Sequence, residues 1–138
     1  MQLTLNQRRV LRVLEEADRP LGAYAVLHHL RPHGIAAPTQ IYRALDKLTE
    51  YGLVYRLASI NAFVARARPG DSASCLTVFT ICDCCGRIEQ LASEALCRDL
   101  RQWAGKQSFV LDTRAALELR GRCSECRTAP DELKTSEQ

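Results

Sequence analysis

The placement of the cysteines constrains this chain more than any other feature. Seven Cys occur in 138 residues, at positions 75, 82, 84, 85, 97, 123 and 126, and all three His (28, 29, 33) lie upstream of them. The first residues, Met1 to Arg9, lack the charged-then-apolar order of a secretion signal, so a soluble, cytoplasmic protein is expected. An odd Cys count in that setting favours metal or redox chemistry over a disulfide framework. Two C-x-x-C knuckles, Cys82/Cys85 and Cys123/Cys126, stand 37 residues apart. Zinc takes four tetrahedral thiolates, and each knuckle aims two at one ion. The interval exceeds the roughly 15–20 residues of a compact zinc ribbon. It has room for a helix and two strands, so one ion is expected to clip together the ends of a small α/β domain. A Cys₄ set leaves no open coordination position, which makes the site structural and not catalytic. A redox disulfide needs only one such knuckle, with a low-pKa thiol at a helix start. Cys84 can shift the register of the first knuckle, but only Cys82/Cys85 repeats the spacing of the second.

Length fits this arrangement. A chain of 138 residues is one ordinary domain or two small ones. Halves of this size are marginal alone and need a staple. Hydrophobic content of 46% and charged content of 25% exclude a largely disordered or low-complexity chain. No apolar run approaches the ~18–20 residues of a membrane span. The net charge of +3 is unevenly shared: residues 1–66 carry nine Lys/Arg against five Asp/Glu, and residues 67–138 carry ten against eleven. A mildly basic first half suits nucleic acid, and a solvated basic face is the plainer reading.

Apolar periodicity predicts three helices in the first half. They cover 7–18 (Val10, Leu14 and Ala17 inward), 22–31 (Tyr24, Leu27 and Leu30 inward) and 39–51 (Ile41, Leu45 and Leu48 inward). Arg19-Pro20, Pro32-His33-Gly34 and Gly52 close them, and Thr39 is a suitable N-cap for the third. Strands at 53–57 and 62–66 follow, joined by a turn at Ser59-Ile60-Asn61. Three helices and a hairpin are the winged helix-turn-helix order, with a generic three-helix module as the bland alternative. Residues 67–74 (ARPGDSAS) read as a linker. Beyond it a strand at 76–81 runs into the first knuckle. A helix at 88–104 faces Ile88, Leu91, Ala95 and Trp103 inward, strands at 109–111 and 115–120 lead to the second knuckle, and a polar tail follows Arg127. The fold class is therefore α+β, divided as 1–66, a 67–74 hinge, 75–127 and a 128–138 tail.

In a winged helix-turn-helix the N-terminal residues of the third helix enter the major groove. Here they are Thr39, Gln40, Tyr42 and Arg43. Thr39 and Gln40 suit phosphates or base edges, Arg43 suits guanine, and Tyr42 suits a thymine methyl or a phosphate. The run from Pro38 to Leu48, then Gly52-Leu53-Val54, Asn61-Ala62-Phe63-Val64, residues 79–86 (FTICDCCG) and the closing C-x-x-C together resemble the ferric-uptake-regulator family. Within it they are most similar to the zinc-uptake regulators, over residues 4–127. The resemblance implies a homodimeric transcription regulator, commonly a repressor, that binds a pseudo-palindromic double-stranded DNA operator. It implies an N-terminal winged helix, a C-terminal α/β dimerisation domain, and Zn²⁺ held by Cys82, Cys85, Cys123 and Cys126. Tyr42 and Arg43 become DNA-contacting residues. Arg8 and Arg9 are the nearest basic residues for a contact ahead of the first helix.

The family's regulatory metal site lies at the hinge and uses His, Cys and Glu. By position this chain has Tyr55 for a His, Arg66 for a Cys, Cys75 for a His and Gln90 for a Glu. With no His after residue 33, a mixed His/carboxylate site cannot be assembled in the second half. Arg66 puts a permanent cation where a metal would sit, with Asp71 or a backbone carbonyl as an alternative partner. The expectation is a regulator that keeps its structural zinc and lacks a working sensor site. Three rival readings remain. One is a thiol-redox, heme or soft-metal response through Cys75, Cys84 or Cys97, of which Cys75 and Cys97 are more simply buried fillers. Another is a zinc-stabilised protein-interaction module without DNA binding. An enzyme is disfavoured, because no paired catalytic carboxylates, nucleophile–base set or open metal site is present.

Overall fold

Thr4 opens the first helix with a reciprocal cap. Its hydroxyl accepts the Gln7 N–H at 3.2 Å, and the Gln7 side-chain carbonyl accepts the Thr4 N–H at 2.9 Å. Two otherwise orphaned donors are satisfied together. This cap starts α1 at Leu5, two residues before the periodicity signal, and the helix runs Leu5–Glu16. The structure, a computed structural model, describes residues 2–66, 76–111 and 116–127. It divides into two compact units, Met1–Pro69 and Gly70–Gln138.

In the first unit α1 is followed by α2 (Ala23–Leu30), a 3₁₀ turn (Arg31–His33), α3 (Pro38–Glu50) and the antiparallel strands β1 (Val54–Leu57) and β2 (Ala62–Ala65). The core is continuous through Val10, Leu14, Val26, Leu27, Leu30, Ile41, Leu45, Leu48, Val54 and Phe63. Leu21 pairs with Phe63 through two backbone hydrogen bonds of 3.0 and 2.8 Å, which ties the chain before α2 to the hairpin. Behind α3 the chain reverses at Gly52, whose φ of +77° favours glycine. The N–H groups of Gly52 and Leu53 cap the carbonyls of Thr49 and Leu48 at 3.0 Å each.

Two expectations for this unit are corrected. Tyr24 does not face inward; it is 66% exposed, and the buried positions of α2 are Ala23, Val26, Leu27 and Leu30. A tyrosine on a short amphipathic helix fits the period yet lies just outside the buried arc, where its hydroxyl keeps water. Thr39 does not cap α3. Ala37 holds the N-cap position and Pro38 sits in the first turn, where its missing N–H costs nothing.

In the second unit β3 (Thr77–Cys82) is the middle strand of a three-stranded sheet of order β4-β3-β5. It pairs antiparallel with β4 (Ile88–Ala92) and parallel with β5 (Ala116–Gly121). Helix α4 (Glu94–Lys106) crosses between them, and a last short helix, α5 (Ser124–Arg127), follows β5. The expected helix at 88–104 is thus a strand and then a helix. Residues Ile88 to Ala92 are claimed by the open edge of β3 across a tight turn, and Ser93 starts α4 by accepting the Leu96 N–H at 3.2 Å. Tertiary strand pairing overrides a helical period here. In consequence Leu91, Ala95 and Trp103 are exposed, Ile88 is half-buried, and Cys97 and Ala104 are the buried residues of α4. Residues 109–111 form no strand, and Val110 is 92% exposed. The expected linker at 67–74 and tail at 128–138 lie outside the described residues. Among the described residues no helix is long and apolar enough to cross a membrane.

The two threonines separate the observed cap from the expected one. Thr4→Ala should cost about 1 kcal/mol of stability, whereas Thr39→Ala, with no capping bond to lose, should stay within about 0.5 kcal/mol of the parent. Urea unfolding followed by far-ultraviolet circular dichroism reads the difference.

Candidate metal centre and nucleic-acid interface

Parallel pairing of β3 with β5 places Cys82 opposite Gly121, so the ends of both strands arrive side by side. The pairing continues one step past β3, with the Asp83 N–H donating to the Gly121 carbonyl at 2.8 Å. Both knuckles therefore leave one edge of the sheet together. In the first, Gly86 takes φ +77° and its N–H returns to the Cys82 carbonyl at 2.9 Å. In the second, the Arg127 N–H returns to the Cys123 carbonyl at 2.9 Å, making α5 a single turn. The ligand sulfurs of Cys82, Cys85, Cys123 and Cys126 all lie within 4.8 Å of one another. Those of Cys85 and Cys123, on different knuckles, are 3.8 Å apart.

The backbone is already arranged for thiolates. The N–H groups of Cys85 and Cys123 point at the Cys82 sulfur at 3.5 and 3.4 Å, the second of them across the knuckles. These donors lower the Cys82 thiol to about 6, against the upward push of burial. At Cys85 the Arg87 N–H pulls downward, but the neighbouring Cys82 sulfur and burial prevail and the thiol is raised. Cys126 is raised as well, first by Cys123 and then by Cys84 and by burial. Four sulfurs this close cannot all be charged unless a cation lies among them. Four convergent soft donors, no histidine or carboxylate in the set, and N–H support at the sulfur fit a closed tetrahedral zinc site.

The other expected site residues fall in the first unit or outside the set. Thr39, Gln40, Tyr42 and Arg43 are all exposed on the N-terminal part of α3, while Ile41 among them and Ala44 and Leu45 after them are buried. Burial of that stripe fixes which face of the helix reaches solvent. Arg8 is exposed on α1, whereas the half-buried Arg9 donates to the His33 carbonyl at 2.9 Å and braces the 3₁₀ turn. His28 and His29 are both exposed on α2. At the hairpin tip Asn61, with φ +49°, accepts from the Arg56 guanidinium at 3.3 Å. No motif in the sequence marks Arg56; an Arg five residues before a turn asparagine is the available signal.

Among the positions matching the regulatory site, Tyr55 lies on β1 opposite Val64, and Arg66 follows β2 with its N–H on the Leu53 carbonyl at 2.9 Å. Gln90 lies on β4 opposite Phe79. Cys75 and Asp71 lie outside the described residues. Cys84 is exposed within the first knuckle, and Cys97 is buried with its sulfur accepting the Leu76 N–H at 3.3 Å, as a core filler does.

No protein-family model matches the sequence. The chain is 32% identical to the zinc uptake regulation protein of Escherichia coli (strain K12) over 127 residues, which cover 91% of this chain and 73% of that protein. Its fold superposes on a crystal structure of holo XcZur with a TM-score of 0.78 at 34% identity, covering 94% of this chain and 89% of the other. A zinc uptake regulator solved in complex with zinc and DNA gives a TM-score of 0.78 at 30% identity, with 98% and 87% covered. With a winged helix-turn-helix order in its first unit, a four-cysteine cluster in its second and this similarity along nearly its whole length, the chain belongs to the ferric-uptake-regulator family, among the zinc-uptake regulators.

Proposed function

We propose that this protein is a cytoplasmic, homodimeric repressor that reads a pseudo-palindromic DNA operator, holds one structural zinc ion per chain, and works without the regulatory metal site of its family. At the coarser level it is a DNA-binding transcription regulator of a metal-responsive family and not an enzyme. The observation that carries DNA binding is the exposed face of α3. Thr39, Gln40, Tyr42 and Arg43 project from the first turns while the opposite stripe is sealed in the core. Arg43 is suited to guanine O6 and N7 in the major groove, and exposed Arg8 to a phosphate. A relative solved with zinc and DNA supports the same reading.

Cys82, Cys85, Cys123 and Cys126 are the residues that would hold the zinc ion, which when bound crosslinks the ends of β3 and β5. For a unit of this size that crosslink is folding free energy. Native mass spectrometry should find one tightly held zinc per chain. Cys82→Ser should abolish it and lower the melting temperature of the second unit, followed through Trp103 fluorescence.

Dimerisation is supported by apolar side chains that the second unit leaves uncovered. Trp103 is 63% and Phe109 61% exposed, and Leu91, Leu96, Val110 and Leu119 of the same unit are exposed as well. Apolar residues on this scale mark an interface in a soluble domain. Two winged helices related by a two-fold axis match an operator with two half-sites. Val110→Asp should shift the sedimentation of the protein from dimer to monomer at micromolar concentration.

The absence of sensing rests on Tyr55, Arg66, Cys75 and Gln90. A metal can bias two domain arrangements only through a difference in affinity between them. Tyr, Arg and Gln supply no ligand comparable to His, Cys and Glu, so that difference has no source. Operator binding, with the sequence obtained by selection from random duplexes, should be unchanged when exchangeable zinc is chelated. A second zinc per chain with nanomolar affinity would overturn this part. Arg43→Ala should cost about 1–3 kcal/mol on the selected operator and relax preference at one position. Arg8→Ala should weaken all duplexes alike and flatten the salt dependence.

A further inference from the structure

Each knuckle carries one acid between its two cysteines, Asp83 in the first and Glu125 in the second. Each acid faces an arginine of the opposite limb. Arg120, on the strand that leads into the second knuckle, donates to the Asp83 carboxylate through Nε at 2.8 Å and through a terminal nitrogen at 2.7 Å. Arg87, on the exit from the first knuckle, stands 4.0 Å from Glu125 and 3.1 Å from Glu89. The pairing is reciprocal, first limb to second and second to first. It crosses the same gap as the Cys123 N–H to Cys82 sulfur bond and the Asp83 to Gly121 backbone bond. A solvent-open cleft of about 410 Å³, lined by Cys82, Arg87, Arg120 and Cys123 among others, gives a chelator access to the same edge.

We propose that Asp83 and Arg120, with Arg87 and Glu125 as the weaker arm, form an electrostatic brace that sets how slowly zinc leaves the four-cysteine site. The inference rests on the reading of that site as a zinc centre. Arg120 joins the two limbs through the Asp83 carboxylate. A release event must part the knuckles, and parting them breaks the Asp83–Arg120 pair. Asp83 and Arg120 are positioning residues; they touch the other limb and no sulfur is assigned to them. Because both are about half exposed (side chains 45% and 52%), solvent screens the pair, and its influence is at the modest end for a partner of metal ligands.

The test uses the full-length, zinc-loaded protein and a chromogenic chelator in excess, with zinc transfer followed by absorbance. One zinc per chain in the unaltered protein establishes the centre; its absence refutes the zinc reading itself, independently of the brace. Given that zinc, Asp83→Asn and Arg120→Gln should each release it about fivefold faster at low salt, with unchanged circular dichroism before chelation. The charge-swapped double variant Asp83→Arg/Arg120→Asp should recover to within about twofold of the parent, and added salt should speed release from the parent more than from Asp83→Asn. A purely structural role would not produce rescue by swapping or a salt dependence confined to the intact pair. Release rates unchanged in folded single variants, or a double variant as fast as the singles, would overturn the proposal. Should Arg120→Gln fail to fold, Arg120→Lys, which keeps the charge and loses the two-nitrogen grip, replaces it and should fall between parent and Asp83→Asn.

Discussion

Parallel pairing of β3 with β5 is the interaction on which the second unit depends. It is a non-local contact: the two strands are separated by a turn, β4 and α4, and closing that loop costs entropy before any contact repays it. Once formed, it puts Cys82 beside Gly121 and brings both knuckles to one edge. Parallel pairs are slightly less stable per residue than antiparallel ones, and this sheet has only three strands. A crosslink at the ends of those two strands is therefore placed where it opposes the largest entropic cost. The same geometry explains why the cross-knuckle N–H of Cys123 reaches the Cys82 sulfur, and why that thiol is pulled downward while those of Cys85 and Cys126 are raised.

The first unit solves a different problem with no crosslink. Its core is a single apolar cluster drawn from all three helices and the hairpin, with the most deeply buried side chains at Val10, Val26, Leu27, Ile41, Leu45, Leu48 and Val54. Capping at Thr4 and the glycine reversal at Gly52 set where α1 begins and α3 ends. The surface of α3 is then determined by exclusion. Since Ile41, Ala44, Leu45 and Leu48 are committed to the core, Tyr42 and Arg43 have only solvent to face. Arg9 marks the limit of reading function from charge, because its guanidinium is used on the His33 carbonyl and contributes to the scaffold.

Legibility of the sequence followed the range of the forces involved. Helical stripes such as Ile41, Leu45 and Leu48 were readable because local periodicity and burial agree. The four zinc-type cysteines were readable because a C-x-x-C turn is a local device, and the structure does bring all four together. What failed was decided by non-local partners. Ile88 to Ala92 carry a period compatible with a helix, and only the unpaired edge of β3 makes them a strand. Trp103 and Leu91 look like core residues and are exposed, because composition does not distinguish an apolar side chain left at the surface from one that fills a core. Thr39 has the chemistry of a cap, but the choice between Ala37 and Thr39 is made by Pro38, which is favoured inside the first turn. Asp83 and Arg120 could not be paired by inspection, since their meeting depends on the β3–β5 register.

The two kinds of metal position in this chain differ in what they demand of it. Every member of the four-cysteine set belongs to the second unit, and that unit's own sheet assembles it. Its loss would remove a staple from a small fold, so stability alone retains it. The positions matching the regulatory site are split, with Tyr55 and Arg66 in the first unit and Cys75 and Gln90 in the second. Among the described residues, Tyr55, Arg66 and Gln90 are half-buried, and none of the three belongs to the buried core. Arg66 goes further than a neutral replacement, because a fixed positive charge opposes a metal cation over several ångströms even when screened. The proposed loss of the sensory set is compatible with an intact four-cysteine set and an intact α3 surface, since the three are built from separate residues.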